Sequence, residues 1–316
     1  MFQIKGFNIP IHHALFLSPQ PVKATNKQHA LWRVEKIGDM ARWALETEVL
    51  LSPKPGLVDQ LNTGSHQDLT VDLMLRSARA LMPLFTQMAQ AGQEHVEADL
   101  TLLRERIGHL GRVAEEAMMI ETQGVNTHRG AIWALGLLAT AAGQLSAQQP
   151  DNLTAQSLCE QAGVLARLPD QYAPIVFSKG LHATRRYKIN GAREEAQNGF
   201  LSITECALPE LRGSRHRGDS EEAAQLNALL ALMTRLDDTC VLSRSGIEGL
   251  ELMQSGAKEI LATDGSASLQ GMAKLIELNK KMVAINASPG GAADLLAATL
   301  FVDALETQLS SHHEYD

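Results

Sequence analysis

A polar segment that stands directly before an apolar run carries residue types that bind anions. The segment is GVNTHRG at 124–130, and the run that follows is AIWALGLLATAAG. Asn126 or Thr127 is suited to cap a helix that begins near His128, and the N–H groups at a helix N-terminus attract an anion. Arg129 adds a fixed charge and a planar fork of donors. The segment predicts a phosphate site, with an ordinary capped helix and a surface arginine as the alternative.

A second polar segment, LSPKPGLVDQLNTGSHQD at 51–68, follows an amphipathic stretch. Its prolines and glycines predict a loop of sharp turns that presents Lys54. His66 and Asp68 are spaced to form a base with its orienting carboxylate, or a pair of metal ligands. The alternative is that Asp68 only caps the next helix. Glu48 lies just upstream and points either into the same space or to solvent.

The adjacent carboxylates Asp237 and Asp238 end an apolar stretch within RLDDTCVLSRSG at 235–246. Two carboxylates at a helix C-terminus oppose the helix dipole. A divalent cation would remove that conflict, and Mg²⁺ is commonly held by one or two carboxylates together with substrate phosphates. We therefore expect this pair to hold Mg²⁺, with a solvated turn as the alternative.

Another candidate for an anion-binding helix start is NASPGGAADLLAATLF at 286–301. Ser288 is suited to cap the helix, and the proline after it fits the first helical position. Gly290 and Gly291 allow another group to approach the helix start closely, and Asp294 follows one turn later. Close helix packing at the two glycines is the alternative.

A basic cluster lies within SKGLHATRRYKINGAREEAQNGF at 178–200. It includes Arg186 and Arg193, and Glu194 follows in a first helical turn. A polyphosphate ligand explains such a cluster, although surface arginines need no ligand. Together the five segments predict a Mg²⁺-nucleotide site built from helix termini. The glycine-rich signature of P-loop enzymes is absent from the sequence.

Helical periodicity dominates the stretches between these polar segments. Apolar residues recur every three or four positions, and strand signals are scarce. The sequence predicts an all-α fold, a single compact multi-helix domain of about ten helices with polar ligand-binding loops at helix termini. We expect helices near 32–51, 69–88, 100–121, 128–145, 153–167, 191–206, 220–236, 246–262, 268–284 and 290–307. We expect connecting loops at 52–68, 123–130, 178–193, 207–221, 237–246 and 286–294.

The composition of the chain limits its class. Of the 316 residues 45% are hydrophobic, and the net charge is −8. These values are typical of a globular protein and argue against one that coats nucleic acid. We expect no membrane span, because no apolar stretch looks long and uncharged enough, and a cytoplasmic location with reduced cysteines. Residues 1–27 are expected to be an extension or flexible arm, 28–308 the all-α domain, and 309–316 a tail.

Six segments together resemble the triphosphoribosyl-dephospho-CoA synthases. They are SPKPGLVD, GSHQD, GVNTHRGAIWALGLL, GAREEAQNGF, LDDTCVLSRSG and NASPGGAADLLAATLF, in the family's order, over about residues 40–305. The forms LDDTCVL, GAREEAQ and NASPGGAADLLAATLF are similar to the malonate decarboxylase branch rather than the citrate lyase branch. One departure is Ser243 and Ser245, where the resemblance leads us to expect His before Arg244 and Gly or Ala after it.

The resemblance implies a reaction of ATP with 3′-dephospho-CoA. The 2′-hydroxyl of dephospho-CoA attacks C1′ of the ATP ribose, adenine leaves, and 2′-(5″-triphosphoribosyl)-3′-dephospho-CoA forms. A separate transferase then attaches this prosthetic-group precursor to an acyl-carrier subunit. The implied substrates are ATP and 3′-dephospho-CoA, and Mg²⁺ is the cofactor that the acidic pair predicts. Neither nucleic acid nor a membrane is an expected partner, and a homodimer is compatible with the sequence.

The residues of the matching segments divide into three expected roles. Catalytic roles are expected of His66, Asp68 and Glu48, with His66 or Asp68 as the general base. Metal binding is expected of Asp237 and Asp238. Substrate or phosphate binding is expected of Lys54, Asn126, Thr127, His128, Arg129, Gly130, Arg186, Arg193, Glu194, Arg244, Ser288, Gly290, Gly291 and Asp294.

Two other classes of protein are compatible with the same residues. An α-helical Mg²⁺-dependent nucleotide or glycosyl hydrolase would use the acidic pair with water as the nucleophile. A non-catalytic assembly factor of a decarboxylase complex would bind no ATP. The same transfer reaction serving citrate lyase is the alternative within the family.

Overall fold

The computed structural model describes residues 22–95, 99–148, 153–174 and 179–310, and over these residues the chain is helical without strands. The α-helices are α1 (Val22–Leu50), α2 (Val71–Glu94), α3 (Leu100–Glu121), α4 (Arg129–Gln148), α5 (Ala155–Arg167), α6 (Lys179–Tyr187), α7 (Ala192–Gln197), α8 (Leu208–His216), α9 (Glu221–Met233), α10 (Thr239–Leu261), α11 (Leu269–Ala284) and α12 (Gly290–Ser310). A π-helical turn, Ile203–Ala207, leads into α8, and a 3₁₀ turn, Gly265–Ala267, precedes α11.

Three helices, α4, α9 and α12, form the centre of the fold. Their sequences are apolar on every side, and a helix of that kind is stable only when it is surrounded by other helices. In α9 every residue from Ala223 to Met233 is buried. Helix α4 packs against α2, α5 and α12, while α12 also packs against α1 and α9. The first turns of α4 and α12 therefore meet within the protein.

The amphipathic helices surround this centre and bury one face each. Several of their N-termini are capped by hydroxyl side chains, and those of α3 and α10 by the carboxylates of Asp99 and Asp238. The Oγ1 atom of Thr70 accepts the N–H of Leu73 in α2 at 3.2 Å. The Oγ atom of Ser268 accepts the N–H of Gly271 in α11 at 2.8 Å. These caps fix where the helices begin and hence where the loops between them stand.

Helices α2 and α4 approach each other so closely that their backbones touch. A methyl group at Gly92 would lie 2.0 Å from the carbonyl oxygen of Thr140, and one at Gly143 would lie 1.9 Å from that of Ala89. Both glycines are buried in helix interiors, where glycine is otherwise unfavourable. The lack of a side chain at these positions is what sets the distance between the two helices.

The all-α prediction is confirmed, but three of the predicted loops contain helices. The segment 207–221 was expected to be an exposed loop with solvated arginines, but most of it is α8. Arg212 Nε donates to Asp303 Oδ1 at 2.9 Å, and Arg215 Nη1 donates to Asp303 Oδ2 at 2.5 Å. Asp303 belongs to α12 and is only 6% exposed. Ion pairs with a distant helix thus order a segment whose composition alone predicts a loop.

The second wrong loop is 237–246, because α10 begins at Thr239. The predicted start at Gly246 corresponds to a break within that helix, where glycine has φ 69° and ψ −161°. The predicted loop at 178–193 also contains a helix, α6, which carries part of the basic cluster. These short polar helices explain why twelve helices are found among the described residues instead of the expected ten or so.

Helix α4 corrects the expectation that no stretch is long and apolar enough to cross a membrane. Among the described helices it alone has that length and composition, with a mean hydropathy of 1.3 over an 18-residue window. However, 78% of that window is buried inside the protein. The apolar character of α4 is therefore accounted for by its central place in the helix bundle.

The predicted domain boundaries fall partly outside the described residues. Residues 22–27 of the expected N-terminal arm belong to α1, and residues 1–21 lie outside the described part. At the other end, 309–310 still belong to α12. Residues 311–316 of the expected tail lie outside the described part as well.

The backbone contact between α2 and α4 predicts that Gly143→Ala lowers the free energy of unfolding by about 1–3 kcal/mol, because a methyl group there overpacks the core. The matched control is Gly111→Ala in α3, where an added Cβ meets nothing within 4 Å. Removing a helix-interior glycine there is expected to be neutral or stabilising by up to about 1 kcal/mol. Urea unfolding of both variants checks this, and equal effects would contradict the proposed contact.

Candidate active site

A cleft at the first turns of α4, α7, α10 and α12 is lined by carboxylates and glycines. It has an empty volume of about 470 Å³, part of which is open to solvent. We call it the carboxylate cleft and define it by Gly130, Trp133, Gly191, Glu195, Asp237, Asp238, Gly291 and Asp294. Five of the residues singled out in the sequence lie in this cleft: Gly130, Asp237, Asp238, Gly291 and Asp294.

Asp238 joins the N-termini of two helices. Its Oδ1 atom accepts the N–H groups of Cys240 at 2.8 Å and Val241 at 3.2 Å, which caps α10. Its Oδ2 atom accepts the N–H of Ala292, in the first turn of α12, at 2.9 Å. Burial raises the pKa of Asp238, while these hydrogen bonds and one from Gly291 oppose the rise. The carboxylate is 1% exposed and fully engaged with backbone donors.

This geometry corrects the reasoning that assigned a metal to Asp238. The helix before it, α9, already ends at Met233, so Asp238 starts a helix instead of ending one. A carboxylate at a helix N-terminus is favourable, and no dipole conflict requires a cation. The N–H groups of Gly291 and Ala292 are bound to Asp238, so they are not free to cradle a phosphate. Phosphate binding by Gly290 and Gly291 stays a prediction, and it is not supported by free N–H groups at the start of α12.

Asp294 of α12 binds the N-terminus of α4, much as Asp238 binds those of α10 and α12. Its carboxylate accepts the N–H of Ala131, and a methyl group at Gly130 would lie 2.0 Å from its Oδ2 atom. Burial and the nearby carboxylates of Glu48 and Asp238 raise the pKa of Asp294 well above its usual range. A raised pKa favours the neutral form of the carboxyl group, which can donate a proton. Gly130 is therefore required for the close approach of Asp294.

Lys54 is enclosed in the protein and forms an ion pair with Glu48. Its Nζ atom donates to Glu48 Oε1 and to the Glu48 carbonyl oxygen, each at 2.5 Å. The loop around it is organised by the buried carboxylate of Asp59, which accepts the N–H groups of Lys54, Leu61 and Asn62 at 2.8–2.9 Å. The Glu48–Lys54 pair thus lies beneath the cleft as fixed, mutually compensated charge.

His128 is buried at the start of α4 and is held in its neutral form. Its Nδ1 atom is 3.0 Å from Ser77 Oγ, which is also 2.7 Å from Thr127 Oγ1. Its Nε2 atom has no hydrogen-bond partner among the described residues. Burial, with a smaller effect of the Lys54 charge, lowers the pKa of His128 from 6.5 to about 4. At neutral pH this imidazole therefore carries no charge to offer a phosphate.

His66, Asp68, Ser288 and Arg244 form a second polar cluster at the start of α12. His66 Nε2 is 2.8 Å from Ser288 Oγ, and His66 Nδ1 is 3.7 Å from Asp68 Oδ1. Burial, and then the charge of Arg244, lower the pKa of His66, against the effect of Asp68. Arg244 donates to the carbonyl oxygen of Ser65, and its Nε atom donates to that of Asn286 at 2.9 Å. The expected histidine–carboxylate pair is thus present, with Arg244 as a clamp between the loop and α12.

A second, larger groove adjoins the cleft and shares Trp133 as a wall. It has an empty volume of about 1100 Å³, partly open to solvent, between α3, α4 and residues 170–174. We call it the arginine groove and define its charged residues as Arg104, Arg112, Glu115, Arg129 and Asp170. Arg129, predicted to bind phosphate, lies here, with its Nε atom 3.0 Å from Glu115 Oε2.

The remaining predicted residues have structural partners or lie at the margin. Asn126 Oδ1 accepts the N–H of Arg129 at 3.2 Å, which confirms the predicted cap of α4. Glu194 Oε2 accepts the N–H of Gly191 at 2.9 Å at the rim of the cleft. Arg186 is exposed and stacks on the ring of the neighbouring tyrosine. Arg193 is exposed, and its charge acts on Arg104 in the groove.

The residues of the cleft can take a metal ion only through few ligands. No group of three or more His, Cys, Asp or Glu side chains suited to a metal occurs in the described part of the chain. Both carboxylate oxygens of Asp238 already accept backbone N–H groups and are poorly placed to bind a metal. Asp237 is half-buried and lines the cleft. A single carboxylate fits Mg²⁺ that arrives already bound to a substrate triphosphate, because Mg²⁺ keeps most of its ligands from water and phosphate.

Several site residues were not found from the sequence. Glu195 lines the cleft, accepts the N–H of Ser202 at 2.8 Å and has a pKa raised by burial. Trp133 donates its indole N–H to the carbonyl oxygen of Ala192 at 3.1 Å. Arg104 lies at an inward position of α3, between Leu103 and Ile107, and this charged residue in an apolar stripe was the available signal.

The comparisons with known proteins agree on one activity. The family described as ATP:dephospho-CoA triphosphoribosyl transferase (CitG) matches residues 34–313. A 2-(5''-triphosphoribosyl)-3'-dephosphocoenzyme-A synthase of Klebsiella pneumoniae is 54% identical over 89% of this chain and 99% of its own. A probable synthase of the same name from Pseudomonas fluorescens (strain Pf0-1) is 50% identical over 93% of this chain and 97% of its own.

A solved structure is also similar in outline. The crystal structure of an Archaeoglobus fulgidus protein assigned to the triphosphoribosyl-dephospho-CoA synthases matches with a TM-score of 0.49 and 19% identity. The match covers 73% of this chain and 98% of that one. The sequence matches, which are far stronger, therefore decide the family.

The two-helix cap predicts different results for the adjacent carboxylates. Asp238→Ala removes the acceptor at the first turns of α10 and α12 and is expected to lower the free energy of unfolding by about 1–4 kcal/mol, the sum of two caps at about 0.5–2 kcal/mol each. Asp237→Ala is the matched control and is expected to change it by less than about 0.5 kcal/mol. Chemical unfolding measures both values. A stable Asp238→Ala variant would show that the caps contribute little.

The buried neutral histidine predicts a pH dependence of stability. Since the pKa of His128 is 6.5 when unfolded and about 4 when folded, the unfolded state binds a proton first as the pH falls. Stability from this group is complete above 6.5 and is lost toward 4, by up to about 1.4 kcal/mol per pH unit. The wild type should lose stability more steeply than His128→Gln from about pH 6.5 to about pH 5. Parallel curves for the two proteins would contradict a neutral buried His128.

Proposed function

Because the chain belongs to the ATP:dephospho-CoA triphosphoribosyl transferase family, we propose that it transfers the triphosphoribosyl group of ATP to the 2′-hydroxyl of 3′-dephospho-CoA and releases adenine. The observation that supports this most directly is the family match over 34–313, together with relatives of the same name that align over nearly their whole length. We place the reaction in the cytoplasm, where ATP is available.

The proposed step forms one bond and breaks one. The 2′-oxygen of the acceptor bonds to C1′ of the ATP ribose, and the bond from C1′ to adenine N9 breaks with its electron pair going to the base. The acceptor hydroxyl loses its proton to a general base, and adenine gains one from a general acid. The triphosphate stays on the product, so the site must hold it without cleaving it.

The carboxylate cleft suits the donor half of this reaction. Glycosyl transfer passes through a positively charged sugar, which nearby carboxylates stabilise. Asp294 is the proposed proton donor to adenine, because burial and the neighbouring carboxylates raise its pKa, which favours the protonated form, and because it lines the cleft. Asp237 is the proposed contact to Mg²⁺ carried by the triphosphate, where the ion would neutralise phosphate charge.

The proposed base is His66, with Asp68 as its orienting carboxylate. The lowered pKa of His66 keeps it neutral and able to accept a proton. Its Nε2 atom faces the hydroxyl of Ser288, which can pass a proton from the acceptor hydroxyl to the imidazole. Arg244, with Ser243 and Ser245 beside it, acts by holding the loop against α12. These contacts of Arg244 do not involve the side chain at position 243, so they form with Ser243 in place of the expected histidine.

The Glu48–Lys54 pair is proposed to set the electrostatic field beneath the cleft. The carboxylate of Glu48 helps to keep Asp294 protonated, and the ammonium of Lys54 helps to keep His128 neutral. Both side chains are buried and bonded to each other, so neither is accessible to a substrate. We therefore propose positioning roles for both, in place of the direct catalytic and phosphate contacts expected from the sequence.

We further propose that the product serves a malonate decarboxylase. The support is the sequence of LDDTCVL, GAREEAQ and NASPGGAADLLAATLF, which resembles that branch. The product, with the transferase that acts after it, should load the apo acyl-carrier subunit of malonate decarboxylase in preference to that of citrate lyase. Mass spectrometry of the two carrier subunits measures this, and preferential loading of the citrate lyase subunit would reverse the assignment.

Mass spectrometry of the product from ATP, Mg²⁺ and 3′-dephospho-CoA tests the reaction itself. The expected products are free adenine and a conjugate that retains all three phosphates of ATP. An Asp294→Asn variant tests the proposed proton donor. Its amide cannot protonate adenine, so it should release adenine at least about 100-fold more slowly than the wild type. Adenine with free ribose triphosphate, and no conjugate, would identify a hydrolase instead.

The geometry of the acceptor predicts a preference for 3′-dephospho-CoA over CoA. The 3′-phosphate of CoA adjoins the attacking 2′-hydroxyl, so it crowds the nucleophile and adds negative charge near carboxylates and a triphosphate. A barrier raised by about 3 kcal/mol would slow the reaction more than about 100-fold. Adenine release with each acceptor at matched concentration measures the ratio. Comparable initial rates would contradict this placement of the hydroxyl.

A further inference from the structure

The arginine groove places several cations on one face of α3. Arg104, Gly108, Gly111 and Arg112 recur at helical spacing and face the groove. Arg112 Nη1 donates to Asp170 Oδ2 at 2.7 Å, while the nearest nitrogen of Arg104 is 3.7 Å from the same oxygen. A single carboxylate thus stands between two guanidinium groups. It neutralises only one of them.

Arg104 is the cation that has the least compensation. It is 8% exposed, and its Nε atom is buried without a hydrogen-bond partner among the described residues. Its guanidinium stacks on the ring of Trp133, 5.5 Å from the centroid. Burial lowers its pKa, and the charges of Arg193 and Arg112 act in the same direction, against Asp170. A buried donor without a partner is costly, and an anionic ligand would satisfy it.

The groove as a whole carries excess positive charge in an acidic protein. Its lining has three arginines, at 104, 112 and 129, against two carboxylates, Glu115 and Asp170, and the exposed Arg193 lies close by. The chain overall has a net charge of −8. The neighbouring cleft has no arginine in its lining and is instead lined by the carboxyl groups of Asp237, Asp238, Asp294 and Glu195. Trp133 lines both spaces, so a ligand in one adjoins a ligand in the other.

We propose that the arginine groove binds the diphosphate and pantetheine arm of the acceptor nucleotide, with Arg104, Arg112 and Arg129 as its phosphate-binding residues. This inference rests on the proposed function. It adds a site, and two residues, that neither the sequence nor the family description identifies. Guanidinium forks suit diphosphate oxygens, and Met88, Ile107 and Leu137 offer apolar surface for the arm.

Charge and size assign the groove to the acceptor rather than the donor. A triphosphate that carries Mg²⁺ is compatible with carboxylates, because the ion bridges them. A diphosphate diester needs no metal ion and is bound by arginines directly. The groove is also the larger of the two open spaces, with an empty volume of about 1100 Å³ against about 470 Å³ for the cleft, and the acceptor is the larger substrate. The acceptor ribose would then lie near Trp133, beside the donor.

Gly111 offers a way to change the groove charge without disturbing its walls. A Cβ atom there meets nothing within 4 Å, and its φ is not positive, so longer side chains enter open space. Gly111→Glu and Gly111→Gln add side chains of equal size that differ in charge, and Gly111→Lys reverses the charge. Any effect of bulk is shared by all three variants. Each also replaces a helix-interior glycine with a better helix former.

The test measures KM for 3′-dephospho-CoA and for ATP in the three variants, together with calorimetric binding of 3′-dephospho-CoA in the absence of ATP. The acceptor KM and Kd of Gly111→Glu should exceed those of Gly111→Gln by at least about tenfold, with Gly111→Lys at or below Gly111→Gln. The KM for ATP should stay within about twofold at physiological ionic strength, where charges beyond about 8 Å are screened.

Each other outcome overturns a definite part of the proposal. Equal acceptor values for Gly111→Glu and Gly111→Gln would remove the diphosphate from the groove. A charge-dependent KM for ATP with a constant acceptor KM would assign the groove to the donor. If the three variants bind 3′-dephospho-CoA in the charge-dependent order but the wild type forms no conjugate, the groove assignment stands and the proposed reaction is rejected.

Discussion

The buried carboxylate of Asp238 is the interaction on which the arrangement of the site depends. Its oxygens bind backbone N–H groups at the first turns of both α10 and α12. Asp294 connects α12 in turn to the first turn of α4 through Ala131. Three helix N-termini are thus joined by two side chains of the same chain. Their positive ends converge on one cleft, so the carboxylates within it are kept close together despite their mutual repulsion.

This arrangement separates charge of opposite sign over a short distance. Carboxylates that begin helices collect in the cleft, whereas arginines that extend from the middle of α3 and the start of α4 collect in the groove. The glycines between them have a steric purpose. Gly130 leaves room for Asp294, and Gly108 leaves room for Asp170, whose Oδ2 atom would lie 2.0 Å from a Cβ there. Helix packing and electrostatics are therefore specified by the same few positions.

Much of the fold could be predicted from the sequence, because the periodicity of the long helices is strong and local. Residues 100–121 were expected to be helical and form α3 with the same bounds. Helix α8 was missed because its order comes from ion pairs between its arginines and Asp303, about ninety residues away, which no local pattern reveals.

The site was predictable in part for the same reason. The segments around 54, 66, 128, 237 and 290 were recognised as polar loops near helix starts, and the structure brings them to one end of the bundle. Their roles were harder to predict, since Asp238 reads as a free carboxylate until its four backbone donors are known. Arg104 was missed because its significance depends on Trp133 and Asp170, each remote in sequence.

The wall formed by Trp133 has a consequence for how the two spaces communicate. Its indole N–H is bonded to Ala192, the first residue of α7, and Glu195 follows one turn later on the same helix. A ligand that displaced the indole from the groove side would either break this hydrogen bond or carry α7, and with it a carboxylate of the cleft, along with the indole. If α7 moved, thermodynamic linkage would require each ligand to change the affinity for the other by the same factor. In that case Trp133 would link the binding of the two substrates, and the first substrate to bind would change the affinity for the second.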